Sequence, residues 1–230
     1  MAATPATPAN PAASSDRAAT LDRMAEAGLV AIIRASSERG LIETCRALAD
    51  GGVTVAEITM TTPGAIDAIR AATAELGDKC LIGVGSVLDA ATARQACEAG
   101  ARFVVSPVFK PEVVDAAHEL GRPVLAGALT PTEILTATEA GADLVKVFPA
   151  NHFGPKYFKD VLAPMPHLKL TPTGGVDLHT IGDWFAAGAV CLGVGSALVK
   201  KDLIEKQDWR GLTDLARQFV EEVKAARGGK

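Results

Sequence analysis

The sequence has no excess of positive charge: 23 Lys and Arg stand against 27 Asp and Glu, a formal net charge of −4. That balance argues against nucleic acid as the main partner, because phosphate backbones are bound by basic surfaces. Long apolar runs are missing as well. None reaches the roughly 18 residues that a membrane span needs, so no membrane partner is expected. Cysteine is scarce, and Cys45, Cys80, Cys97 and Cys191 lie far apart, with no histidine at metal-ligand spacing. They read as reduced, buried thiols, which places the protein in the cytoplasm. No basic-then-apolar leader opens the chain. Residues 1–16, MAATPATPANPAASSD, are almost all Ala, Thr, Pro, Ser and Asn. Pro5, Pro8 and Pro11 oppose a helix, so a disordered tail without chemistry is expected there.

What is present is ample for one folded domain over residues 17–230, since 48% of the chain is hydrophobic and only 22% charged. Short apolar runs recur: Leu29–Ile33, Val53–Ile58, Leu81–Val84, Phe103–Val105, Val124–Leu125, Leu144–Phe148, Leu168–Leu170 and Val190–Val194. Longer segments with helical periodicity, such as Leu41–Leu48 and Ala65–Leu76, lie between them. Val- and Ile-rich runs read as buried strands, and their alternation with helices implies a parallel sheet. Gly52, Gly77, Gly100, Gly121, Gly141 and Gly188 fall before successive strands, where glycine ends a helix. Eight strands predict a single (β/α)8 TIM barrel with an N-terminal helix. The rival open sheet would carry a glycine fingerprint after its first strand, and IIRASSERG has none.

In such a barrel the chemistry lies at the C-terminal strand ends. Two ionisable residues interrupt apolar runs there: Glu57 in VAEIT and Lys146 in DLVKVFPA. A lysine on a strand covered on both faces is either half of a buried ion pair, with Glu57 available, or a nucleophile. Desolvation disfavours the charged form of an amine, and the uncharged amine attacks carbonyls. A carboxylate facing it would serve as general acid and base. Together they suit Schiff-base chemistry. Lys169 follows a polar turn and is expected exposed at a strand start.

Two glycine loops follow the last strands: Thr173–Gly174–Gly175 and Gly193–Val194–Gly195–Ser196. That is the recurring phosphate site of this fold, where backbone N–H groups approach the anion. The earlier GVGS at 83–86 points to a substrate role for Ser86. His118, His152, His167 and His179 have no useful mutual spacing, so no metal ligand set is expected.

These motifs resemble the 2-dehydro-3-deoxy-phosphogluconate / 4-hydroxy-2-oxoglutarate aldolases, class I enzymes of the Entner–Doudoroff type. The resemblance runs from about Leu29 to Val199, through GGVTVAEIT (51–59), GVGSV (83–87), VVSP (104–107), TPTE (130–133), VKVFPA (145–150), PTGGV (172–176) and GVGSALV (193–199). It implies that Lys146 forms the Schiff base and Glu57 moves protons. It implies that Ser86, Pro107 and Thr173 line a pyruvate pocket, and that Gly174, Gly175, Gly195 and Ser196 hold the phosphate. The partner would be a keto-acid phosphate, no cofactor or metal would be needed, and the chain would form homotrimers. Many members carry an arginine for the substrate carboxylate where this chain has Thr61. Others have an arginine ending the first strand, as Arg34 does here, and Arg34 is expected to take the carboxylate. The family's SPG and PG motifs read SPV (106–108) and AG (126–127), so the substrate stays open among the phosphogluconate, its galactonate epimer and 4-hydroxy-2-oxoglutarate. A non-catalytic phosphosugar-binding barrel is the remaining alternative, against which the two buried charges speak.

Overall fold

Each apolar run becomes a short strand and each periodic segment a helix. The computed structural model describes residues 11–35 and 40–228. Its strands are β1 (Leu29–Ile33), β2 (Val55–Thr59), β3 (Leu81–Gly85), β4 (Val104–Val105), β5 (Val124–Ala128), β6 (Leu144–Val147), β7 (Leu170–Pro172) and β8 (Leu192–Val194). All neighbours pair in parallel, in the order β7-β6-β5-β4-β3-β2-β1-β8. A parallel bridge between Thr173 and Gly193 closes the seam between β7 and β8, and Val190 N–H donates to Leu170 O at 2.9 Å. The sheet therefore meets itself as the expected barrel.

The helices are α1 (Pro11–Ala27), α2 (Leu41–Asp50), α3 (Ala65–Leu76), α4 (Ala90–Glu98), α5 (Pro111–Glu119), α6 (Pro131–Glu139), α7 (Gly154–Leu162), α8 (Ile181–Ala186), α9 (Lys201–Glu205) and α10 (Trp209–Gly228). Among the described residues no helix is long and apolar enough to cross a membrane. The glycines expected to end helices all have positive φ, from Gly77 at 52° to Gly100 at 113°. Four strand starts lie later than in the sequence reading, β4 by one residue and β2, β7 and β8 by two, and hydrogen bonds account for two of them. Val53 donates its N–H to Leu48 O at 3.0 Å, and Leu168 to Met165 O at 3.2 Å. Both are buried but spend their N–H groups on the preceding helix end or turn, so the ladders begin two residues later.

The expected tail 1–16 is shorter than the composition implies. Helix α1 starts on Pro11, since a proline is tolerated at a first helical position. Asp16 then accepts from Arg102 Nη2 at 2.6 Å and from Arg122 Nη1. Residues 1–10 lie outside the described residues.

Strand alternation sorts side chains onto two faces. Leu29, Ala31 and Ile33 of β1 join the outer core beneath the helices. Val30 belongs instead to an inner cluster with Val55, Leu81, Phe103, Val105, Leu125, Leu144 and Cys191. Met24 of α1 is fully buried in the same cluster and plugs the N-terminal end of the barrel. All four cysteines are free and buried. Desolvation pushes the Cys80 thiol up to about 12, and the Cys97 and Cys191 thiols up to about 11, so these are packing residues.

Thr130, a polar residue at the end of the fifth strand, turns out to be a helix cap. Its Oγ1 accepts from Glu133 N at 3.3 Å, while Glu133 Oε2 accepts from Thr130 N at 2.8 Å and Leu129 N at 3.0 Å. Those backbone hydrogen bonds hold the Glu133 carboxyl below its ordinary range. A depressed carboxylate stabilises the fold above its unfolded-state value and loses that contribution as pH falls through its folded value. Thr130→Ala is expected to cost about 1 kcal/mol in urea unfolding at neutral pH. The contribution of the Glu133 carboxylate, read as the cost of Glu133→Gln, should shrink as the pH is taken below about 4.

Candidate active site

Two residues beyond the inner plug, on the same barrel face, the strands change character. Val30 is followed by Ile32, Val55 by Glu57, Leu81 by Gly83, Leu125 by Gly127, Leu144 by Lys146 and Cys191 by Gly193. A continuous apolar plug thus gives way to two charges among glycines. Register places Lys146 beside Gly127 of β5 and Thr171 of β7, and Glu57 between Ile32 of β1 and Gly83 of β3.

β2 and β6 stand on opposite sides of the barrel, yet Lys146 Nζ lies 3.7 Å from Glu57 Oε1. Their side chains are only 9% and 3% exposed, so both charges are desolvated. At that separation the two attract as ions but are too far apart for a hydrogen bond. Glu57 Oε1 accordingly has no hydrogen-bond partner among the described residues. An orphan carboxylate oxygen beside an amine can take a proton from a third group placed between them. The Lys146 ammonium also lies 5.5 Å from the centre of the Phe148 ring, within cation–π range.

Glycines make the room. A Cβ on Gly85 would stand 2.6 Å from Glu57 Oε1, and one on Gly193 would stand 2.3 Å from Thr173 Oγ1. At Gly127 a Cβ would meet the Pro107 carbonyl at 2.1 Å, so the loop after β4 folds directly across β5.

A cavity of about 960 Å³ opens at this end of the barrel. Arg34, Thr173, Gly174, Gly175, Gly195 and Ser196 all line it, so six of the sequence-predicted binding residues converge there. The buried Ile32 and Gly193 and the exposed Phe148 line it too. Lys146 and Glu57 are not among the lining residues; they adjoin it through Ile32, which pairs with Glu57, and through the Phe148 ring. Ser86 and Pro107 do not line it either. Ser86 follows Gly85 in a left-handed backbone conformation, φ 61°, and Pro107 leans on Gly127. Both sit at the ends of β3 and β4, on the Glu57 and Gly127 side.

Arg34 is exposed at the end of β1. Thr61 lines the same cavity, and its hydroxyl lies 2.9 Å from that of Thr59. Ala35 N donates to Thr62 Oγ1 at 3.1 Å, which ties the loop after β1 to the loop after β2. Lys169 is exposed, as expected. The inward glycines escaped the sequence reading as space-makers. The signal that could have found them is parity: Gly83, Gly85, Gly127 and Gly193 share the face of Glu57 and Lys146.

The family model described as KDPG and KHG aldolase matches residues 21–215. A Haemophilus influenzae 2-dehydro-3-deoxy-phosphogluconate aldolase is 35% identical over 205 residues, 89% of this chain and 96% of the relative. An Escherichia coli 2-dehydro-3-deoxy-6-phosphogalactonate aldolase is 34% identical over 173 residues, 75% of this chain and 84% of the relative. Among solved structures, a Legionella pneumophila KDPG aldolase with pyruvate captured as a covalent carbinolamine superposes with a TM-score of 0.78 at 28% identity, covering 84% of this chain and 94% of that one.

Proposed function

Since the chain belongs to the KDPG and KHG aldolase family, we propose that it is a class I enzyme that cleaves 2-keto-3-deoxy-6-phosphogluconate to pyruvate and glyceraldehyde 3-phosphate. The observation that carries this reading is the desolvated amine of Lys146 facing the unpartnered Oε1 of Glu57 across the barrel. Lys146 Nζ adds to the C2 ketone, and loss of water gives an iminium. Glu57 takes the proton of the C4 hydroxyl, directly or through a water. The C3–C4 bond breaks, its electrons pass into the iminium, and glyceraldehyde 3-phosphate leaves. The resulting enamine is protonated at C3 and hydrolysed, releasing pyruvate and free Lys146. Covalent capture of pyruvate in the Legionella relative supports the same first step here.

Backbone N–H groups of Gly174, Gly175 and Gly195, with the Ser196 hydroxyl, hold the phosphate on the cavity rim. Ser86, Pro107 and Thr173 surround the pyruvate half, and Arg34 binds its carboxylate. Because Arg34 is exposed, its contact is a charge-assisted hydrogen bond at the rim rather than a buried pair. Arg34→Ala is therefore expected to raise KM about tenfold or more, at roughly 1.5–3 kcal/mol for a hydrogen bond to a charged group. Adding Thr61→Arg to Arg34→Ala should recover part of the loss, because both positions open on one cavity. An unchanged KM in Arg34→Ala removes Arg34 from the site.

The decisive experiment is borohydride reduction in the presence of pyruvate, followed by mass mapping. The expected product is a lactyl-sized addition on Lys146; modification of Lys110 or Lys169 instead overturns the assignment. A galactonate epimer is the second reading, supported by the relative of that specificity. Cleavage rates on the two epimers and on 4-hydroxy-2-oxoglutarate rank the three. We extend the proposal to a cytoplasmic homotrimer. Exposed Leu88, Val108 and Phe153, at the barrel end that carries the site, offer apolar surface for assembly. Light scattering measures the assembly directly.

A further inference from the structure

One wall of the cavity is a single stretch of chain, running from the glycine loop at Gly195 through α9 to Trp209. Gln207, two residues past the end of helix α9, has a φ of 56°. Asp208 N–H donates to Leu203 O at 2.8 Å and Gln207 N–H to Ile204 O at 3.0 Å. That pair of bonds terminates a helix on a left-handed residue, a place glycine fills because a Cβ strains it. This chain uses glycine at positive φ for its other such stops, including Gly100, Gly121, Gly141 and Gly188. Only Ser86 and Gln207 among the described residues have positive φ without being glycine, and both lie at the barrel end that carries the site. Local strain of this kind is kept where a side chain is needed. Gln207 is exposed and lines the cavity together with Lys201 and Trp209, as do Gly174, Gly175, Gly195 and Ser196.

We propose that Gln207 is a specificity-determining residue that reads the distal end of the aldehyde half of the substrate through its carboxamide. A carboxamide N–H donates to acceptor oxygens, which at that end belong either to the C6 phosphate or to the C5 hydroxyl. The inference rests on the aldolase reading above. It explains why a side chain persists at a position where glycine would relieve strain, and it makes this wall part of the binding site.

The test compares the full-length enzyme with Gln207→Gly and Gln207→Asn. Glycine relieves the strain, so the thermal midpoint of Gln207→Gly should hold or rise. Its KM for 2-keto-3-deoxy-6-phosphogluconate should rise about tenfold, the scale of one hydrogen bond to a charged group, with kcat unchanged. Its KM for 4-hydroxy-2-oxoglutarate, which ends one carbon sooner and carries no phosphate, should not move. Gln207→Asn keeps a carboxamide and tolerates the left-handed conformation, so it should retain part of the affinity. Unphosphorylated 2-keto-3-deoxygluconate separates the two oxygens. A KM increase there as well assigns the contact to a hydroxyl, and no increase assigns it to the phosphate. Equal KM for wild type and Gln207→Gly on the phosphorylated substrate, or an equal rise on every substrate, overturns the proposal. Pyruvate trapping on Lys146 should be intact in both variants. A wild-type enzyme that traps no pyruvate overturns the aldolase reading itself.

Discussion

Lys146→Ala is expected to abolish aldol cleavage, with a loss of several orders of magnitude in kcat/KM, because the covalent route disappears with the amine. The same change should also destabilise the fold. It leaves the Glu57 carboxylate desolvated with no cation beside it, and breaking a buried pair from one side costs about 3–5 kcal/mol. Loss of activity and loss of folding must therefore be separated. The double variant Lys146→Ala with Glu57→Gln removes the stranded charge, so urea unfolding should show much of the stability restored while activity stays absent. A double variant that cleaves substrate shows that Lys146 is structural. In the proposed mechanism the electron sink is the iminium that Lys146 forms with the substrate ketone, so chelation by EDTA should leave the wild-type rate intact. Strong inhibition by EDTA counts against the Schiff base.

Glu57→Gln carries the second-largest effect. The carboxamide keeps the shape of the side chain and cannot act as a base at neutral pH, so proton transfer should fall by roughly 10²–10⁴-fold. Imine formation needs Lys146 more than it needs Glu57. Borohydride trapping of pyruvate should therefore persist, more slowly, while cleavage of the six-carbon substrate collapses. That split distinguishes a proton carrier from a residue that merely neutralises a lysine. Cleavage at the wild-type rate in Glu57→Gln assigns Glu57 a purely structural role. The close contact of Gly85 gives an independent probe. A methyl group there would press on the carboxylate, so Gly85→Ala should reproduce much of the loss without altering either charge.

The strands, the helix stops and the two odd charges were legible along the chain because each is a local pattern. An apolar run of four or five residues becomes a strand from its own side chains, and a glycine ends a helix through its own φ. Lys146 and Glu57 announced themselves because charge within an apolar run is costly wherever the run is buried. The glycine loops after β7 and β8 were readable for the same reason, each being a short motif at a strand end. The cap at Thr130 is local in the same way: TPTE (130–133) sets a threonine, a proline and a glutamate at capping-box spacing, and the hydrogen bonds between Thr130 and Glu133 complete it.

Closure of the barrel decided the rest. It brings β2 and β6, distant in sequence, close enough for Lys146 Nζ to stand 3.7 Å from Glu57 Oε1. It puts Arg34 and Thr61 on one cavity with the loops at Gly174 and Gly195. It turns Gly127 into a seat for the Pro107 carbonyl, and Gly85 into a space for a carboxylate. It also carries Gln207, an ordinary surface residue by composition, onto the cavity wall. None of these contacts has a period or a spacing along the chain. They arise because a closed, staggered sheet fixes which inward side chains meet across it, and that is a property of all eight strands at once.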